Sequence, residues 1–233
     1  MDIRCPYIHM AETIIHVLNR GVDKRKIFID DRDRFRFVHD LFEFNDQNNV
    51  LNILPRYKTM DIGRPYIEKR PRKLLVDLYA FCLMDNHYHL LLSPRVEGGV
   101  SKFMKKLNMG YAKYFNEKYK RSGALFQGKY KSVVIEKDAH FIHLPYYIHF
   151  NPLDFEFSEW RERKCKNVRG AMKFLYSYRW SSYLDYIGKE NFPSVTQRGF
   201  LSKFLGGEKK YLKDTEKWLQ ELDFKNVKTI SLE

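Results

Sequence analysis

Cysteine is scarce in this chain: Cys5, Cys82 and Cys165 are odd in number, widely spaced and without any CxxC pair. A disulfide framework and a zinc ribbon are therefore not indicated, and a reducing cytoplasm is the expected compartment. Long apolar runs are missing as well. No stretch approaches the ~18 residues of a membrane span, and the first twenty residues lack a signal peptide's order of charge and apolar core, so no membrane partner is expected. There is no internal repeat and no low-complexity segment. Acid is the last shortage, with Asp+Glu 29 against Lys+Arg 42 and a formal charge of +13. Such an excess favours a polyanionic partner, nucleic acid first, although a merely solvated basic surface gives the same total. What is present, 44% hydrophobic and 16% aromatic residues over 233 positions, is enough for one full core with an appended helical extension.

The stretch LYAFCLMDNHYHLLLS, Leu78 to Ser93, organises the rest. Leu78–Met84 and His87–Leu92 are apolar, β-competent runs separated by Asp85-Asn86, a pair with turn chemistry, and read as two core strands. His87 and His89 stand two apart on the second. Residues at that spacing on a strand share a face, so the imidazoles emerge side by side as a ready metal pair, with the run Leu90–Leu92 holding them rigid. Two half-buried histidines capping a strand end are the alternative.

Upstream, Thr13–Leu18 reads as a strand ended by Asn19-Arg20-Gly21, and His16 lies in it. An imidazole on a strand face is the plainer reading of His16; proximity to the pair is the other. Asp30/Asp31 can cap a helix with Phe35, Val38, Leu41 and Phe42 on its inner face. From 45 to 73 the pattern dissolves into a basic segment that reads as a solvated insertion or as a grip on a phosphate backbone, with Tyr57 and Tyr66 available for stacking. Ser101 is the expected cap of a helix reaching about Tyr119, whose inward stripe is Phe103, Met104, Leu107, Tyr111, Tyr114 and Phe115. A strand follows at Ser132–Ile135.

In Asp138–Pro152, DAHFIHLPYYIHFNP, Asp138 is a candidate N-cap, Pro145 interrupts or restarts the helix, and Pro152 stops it. Tyr147 and Asn151 at i and i+4 share a helix face, ~5–6 Å apart between Cβ atoms. A hydroxyl and an amide oxygen at that spacing can converge on one ion or phosphate; a core aromatic and a helix-ending asparagine are the plain readings. Trp180-Ser181-Ser182-Tyr183 reads as a packed corner and Glu208–Leu222 as an amphipathic helix.

NRGVDKRKIF (Asn19–Phe28), AFCLMDNHYHLLL (Ala80–Leu92), GALFQGKYKS (Gly123–Ser132), YIHFNP (Tyr147–Pro152) and WSSY (Trp180–Tyr183) occur in the order and approximate spacing of the single-tyrosine IS200-like transposases. The chain resembles their REP-associated branch over residues 8–186, with 45–73 as an insertion and 187–233 as a C-terminal helical extension of unassigned role. The resemblance implies an α+β, ferredoxin-like sandwich, an antiparallel sheet with helices on one face. It implies an HUH endonuclease, with His87, Tyr88 and His89 as the His–hydrophobic–His motif, Asn151 completing the metal site and Tyr147 as nucleophile. Tyr146 is adjacent and would take that part in a shifted register.

What the resemblance implies as chemistry is a Mg²⁺- or Mn²⁺-dependent strand transferase acting on single-stranded DNA beside imperfect hairpins, through a 5′-phosphotyrosine. Two imidazoles and an amide oxygen suit such a hard ion with positions open for phosphate. Arg20, Lys102, Lys105, Lys106, Lys129 and Lys131 are the candidates for DNA contact. A hairpin-DNA binder without cleavage, and an HUH replication initiator or relaxase, are the rival readings. Insertion-sequence members build composite sites across a homodimer and REP-associated members can act alone, so monomer and homodimer both stay open.

Overall fold

The computed structural model describes residues 13–49, 61–68, 70–136, 138–161 and 165–221. Apolar, β-competent runs, buried on both faces in the middle of the sheet, form strands β1 (Ile15–Arg20), β2 (Val76–Leu83) and β3 (His87–Pro94), which pair with each other and with β4 (Lys131–Val134) antiparallel in the order β2-β3-β1-β4. Helix α1 (Asp31–Glu43) joins β1 to β2 and α2 (Gly99–Lys118) joins β3 to β4. This βαββαβ order with β1 and β3 central is the α+β sandwich that the motifs imply.

Each helix is built as its sequence suggests, with one exception. Asp30 caps α1 by accepting from the Asp33 amide at 2.9 Å while the Asp33 carboxylate reaches back to the Asp30 amide, a reciprocal capping box. Phe35, Phe37, Val38, Leu41 and Phe42 of α1 and Phe103, Met104, Leu107, Tyr111 and Phe115 of α2 then share a core with Val17, Phe81, Leu83, Tyr88, Leu90 and Leu92 of the sheet. Both crossover helices therefore cover one face. Ser101 does not cap α2. The helix begins at Gly99, preceded by Gly98 in the left-handed region (φ +65°), and a Cβ at Gly99 would stand 2.3 Å from the Leu75 carbonyl oxygen. Glycine is needed because the backbone of the β2 approach passes against the first turn.

The opposite face is covered by α3 (Asp138–Phe150), which runs through Pro145 without a break. Its sequence lacks a polar side, and from Leu144 to Phe150 every residue is buried. One side meets Ala80, Cys82 and Leu91 of the sheet, and the other meets the C-terminal helices, in a second core holding Leu144, Tyr146, Tyr147, Ile148, Tyr211 and Leu219. Those helices are α4 (Val168–Ser177), α5 (Tyr183–Tyr186), α6 (Gly199–Phe204) and α7 (Glu208–Glu221). Between α4 and α6 the chain closes the β2 edge: Leu83 donates to the Trp180 carbonyl, Ser182 to that of Phe81 and Gln197 to that of Leu78.

The basic insertion is only partly within the described residues, and Tyr57 lies outside them. Tyr66 is not available for stacking on bases. It is 5% exposed, with its hydroxyl 3.2 Å from His39 Nδ1. Arg70 pairs with Glu43, and Arg72 donates to the Phe42 carbonyl at 2.6 Å. Those cations hold the segment onto α1. Cys82 and Cys165 are buried thiols, while Cys5 lies outside the described residues. Among the described residues no helix is long and apolar enough to cross a membrane.

Candidate active site on the histidine face

Directly paired residues of an antiparallel ladder point to the same face, so register decides which side chains meet. His87 lies opposite Arg20, His89 opposite Leu18 and Cys82, and Leu91 opposite His16. His87, His89, His16 and Arg20 therefore emerge together on the α3 side, while Tyr88 points into the other core, where its hydroxyl donates to Asn108 at 2.5 Å. The rings of His87 and His89 are 5.1 Å apart between centroids. His16 stacks on His89 at 5.2 Å, its Nε2 2.9 Å from His89 Nδ1. It is a neighbour of the pair, not a lone imidazole on a strand face.

Helix α3 supplies the other half. The Tyr147 ring stands edge-on to His89 at 6.0 Å and to His16 at 6.5 Å. Asn151 opens the 3-10 turn Asn151–Phe155 and is fully buried; its Nδ2 donates to the Tyr147 carbonyl at 2.9 Å, closing the i to i+4 turn with a side chain. Its Oδ1 accepts from Arg161 Nη2 at 2.7 Å, and the same guanidinium donates from Nη1 to the Tyr147 hydroxyl oxygen at 2.9 Å. Asp154 takes Arg161 Nε at 2.7 and 2.9 Å and Nη2 at 2.6 Å, and the Trp160 ring lies under the guanidinium at 4.7 Å. Arg161 was not expected from the sequence, because the stretch after Pro152 has no periodic pattern to place it.

Tyr146 faces away from the histidines. It stacks on Tyr211 at 4.4 Å and on Trp218 at 4.0 Å, and burial together with the Asp214 carboxylate pushes its phenol well above the ordinary range. His143 packs on Trp218 at 4.6 Å. His149 is sealed between the Tyr211 hydroxyl and Ser182 Oγ, each at 2.7 Å, and burial pulls its imidazole down to about 3. These groups hold the helix and stand outside the cluster.

The donor set fits a divalent ion. His87 Nδ1 is 2.6 Å from Asn86 Oδ1, and an amide oxygen only accepts, so the proton sits on Nδ1 and Nε2 keeps the lone pair a ligand needs. Asn151 Oδ1 has a second lone pair beyond the one Arg161 uses. Among the described residues no group of three or more His, Cys, Asp and Glu is placed to hold a metal.

The basic candidates divide. Arg20, Lys129 and Lys131 line a cleft of about 200 Å³ with Leu18, Asn19 and Gln127 at the β1–β4 edge. Lys105 and Lys129 border a second cleft of about 550 Å³ floored by Met104, Met109 and Tyr130. Lys102 is exposed. Lys106 instead donates to the carbonyls of Asp46 and Asn48, at 2.5 and 2.8 Å.

No curated protein matches the chain. A solved structure of a REP-associated tyrosine transposase bound to a REP hairpin is similar at 10% identity, covering 78% of this chain and 83% of that one with a TM-score of 0.42. Residues 64–151 match the family described as "Transposase IS200 like", a span that takes in His87, His89, Tyr147 and Asn151. Over residues 64–151, then, the chain is similar to the IS200-like transposases, the family its motifs resemble.

Proposed function

We propose that the protein is a metal-dependent DNA strand transferase that cleaves and rejoins single-stranded DNA beside imperfect hairpins, with Tyr147 as nucleophile. The observation that carries this reading is the seating of the Tyr147 ring against His89, with His87 on the same face. His87, His89 and Asn151 would hold a Mg²⁺ or Mn²⁺ ion, which when bound supplies Lewis-acid charge to a phosphodiester. The chain's own residues do the rest. Tyr147 Oη attacks phosphorus, the P–O3′ bond breaks, and the phenol proton passes to the departing 3′ oxygen. The product is a 5′-phosphotyrosine and a free 3′-hydroxyl, and attack by another 3′-hydroxyl reverses the step without a nucleotide cofactor. The basic cleft of Arg20, Lys129 and Lys131 opens beside His87 along the ladder and offers phosphate contacts to the approaching strand.

The test uses labelled hairpin oligonucleotides with single-stranded flanks and Mn²⁺. A covalent protein–DNA adduct that survives denaturation is expected for the wild type and for Tyr146→Phe, and none for Tyr147→Phe. An adduct that persists in Tyr147→Phe overturns the assignment of the nucleophile. Hairpin binding without any adduct from the wild type favours the rival reading of a binder that does not cut.

A further inference from the structure

Arg161 makes contacts that an ordinary ion pair does not require. Its bonds to Asp154 pair the charge and occupy Nε–H and one Nη2–H of its five donors, and both terminal nitrogens also reach the two side chains on which the proposed chemistry turns. We propose that Arg161 is a further catalytic residue: its guanidinium holds the Tyr147 oxygen and the Asn151 amide oxygen as one unit and receives the charge that builds on the phosphate as the Oη–P bond forms. This rests on Tyr147 being the nucleophile.

The argument is one of donors. A guanidinium can only donate, so the bond from Nη1 takes a lone pair of the phenol oxygen and turns the phenol's own O–H elsewhere, toward whatever receives the proton. Nη2, on the same rigid plane, fixes Asn151 Oδ1 at 2.7 Å, so the nucleophile and the amide move together. The plane itself is set by Asp154 on its far edge and by Trp160 beneath it. Asp154 also balances the charge of the guanidinium, which stands partly exposed beside the buried Tyr147 and Asn151. When Oη bonds to phosphorus and P–O3′ breaks, the non-bridging oxygens gain charge next to a donor already in position. A preorganised donor of this kind needs no rearrangement during the step.

The experiment compares single-turnover adduct formation at saturating hairpin DNA and Mn²⁺ for wild type, Arg161→Gln, Arg161→Lys, Arg161→Gly and Tyr147→Phe, with hairpin affinity and thermal melting measured in parallel. Removal of a preorganised donor is expected to slow Arg161→Gln by about 10²–10³-fold, with hairpin affinity unchanged within about threefold. Arg161→Lys keeps the charge but not the two-point fork, and should lie between wild type and Arg161→Gln. Millimolar guanidinium ion added to Arg161→Gly should restore at least about tenfold of the lost rate while leaving wild type unmoved, a recovery that a purely structural arginine would not give. An Arg161→Gln rate within about threefold of wild type overturns the inference. So does a folded, slow Arg161→Gly that guanidinium does not rescue. If Arg161→Gly or Arg161→Gln does not fold, Arg161→Lys decides, and a rate equal to wild type sinks the proposal. Adduct formation by Tyr147→Phe would instead remove the nucleophile assignment on which it rests, whatever the arginine variants do.

Discussion

An imidazole offers a lone pair from one nitrogen only when the proton is held on the other, and the partner of that second nitrogen decides which way round it is. For His87 the partner is Asn86, its neighbour in sequence. For His89 it is His16, 73 residues away. A ligand-competent Nε2 on His89 requires His89 Nδ1 to carry the proton and His16 Nε2 to accept it. His16→Ala is therefore expected to weaken Mn²⁺ binding by about 10–100-fold in the absence of DNA. Titration of the free ion by electron paramagnetic resonance reads this directly, and an unchanged affinity would make His16 a packing residue only. The pairing of His87 with His89 is legible because strand periodicity acts between near neighbours. His16 and Arg161 are less so, because each gains its meaning from a partner set by strand register or by an irregular turn, and no spacing in the sequence records either.

At the scale of elements, the strands and α1 are readable because apolar β-competent runs, turn residues and a capping aspartate are local signals. The start of α2 is not, since Gly99 is selected by the backbone of a distant segment and not by Ser101. Helix α3 is the instructive case. Its lack of a polar side has no explanation until the C-terminal helices are in place, and they cover the side that the sheet leaves open. Tyr211 and Leu219 of α7, 1% and 2% exposed, complete that cover. Leu219→Ala is expected to cost about 2–5 kcal/mol, the range for truncating a buried leucine. Glu216→Ala, on the exposed side of the same helix, should stay within about 0.5 kcal/mol. Urea unfolding of the two variants measures both, and a loss of stability no larger in Leu219→Ala than in Glu216→Ala would mean that α7 is not part of the packed body.

At the scale of the whole molecule, a net charge of +13 overstates what is turned toward a polyanion. Several cations are committed internally. Lys118 is tied to Asp30 and Asp33, Arg70 to Glu43, and Lys106 to two backbone carbonyls. Lys105, Lys129 and Lys131 are exposed and border the two clefts that flank the histidine face and α2. Counterion release makes the distinction measurable, because each phosphate neutralised contributes to the slope of log affinity against log salt, by about 0.7 on a single strand and 0.9 on a duplex. For a labelled hairpin with single-stranded flanks, Lys105→Gln, Lys129→Gln and Lys131→Gln should each flatten that slope by roughly 0.7–0.9, with the slopes read by fluorescence anisotropy over a range of KCl concentrations. Lys106→Gln should leave the slope where it is, because its ammonium already satisfies Asp46 and Asn48 and brings no counterion to the DNA. A Lys106→Gln slope that flattens as much as the others would mean that its ammonium leaves the Asp46 and Asn48 carbonyls for the DNA. A slope untouched by all four would remove the basic clefts from the binding surface altogether.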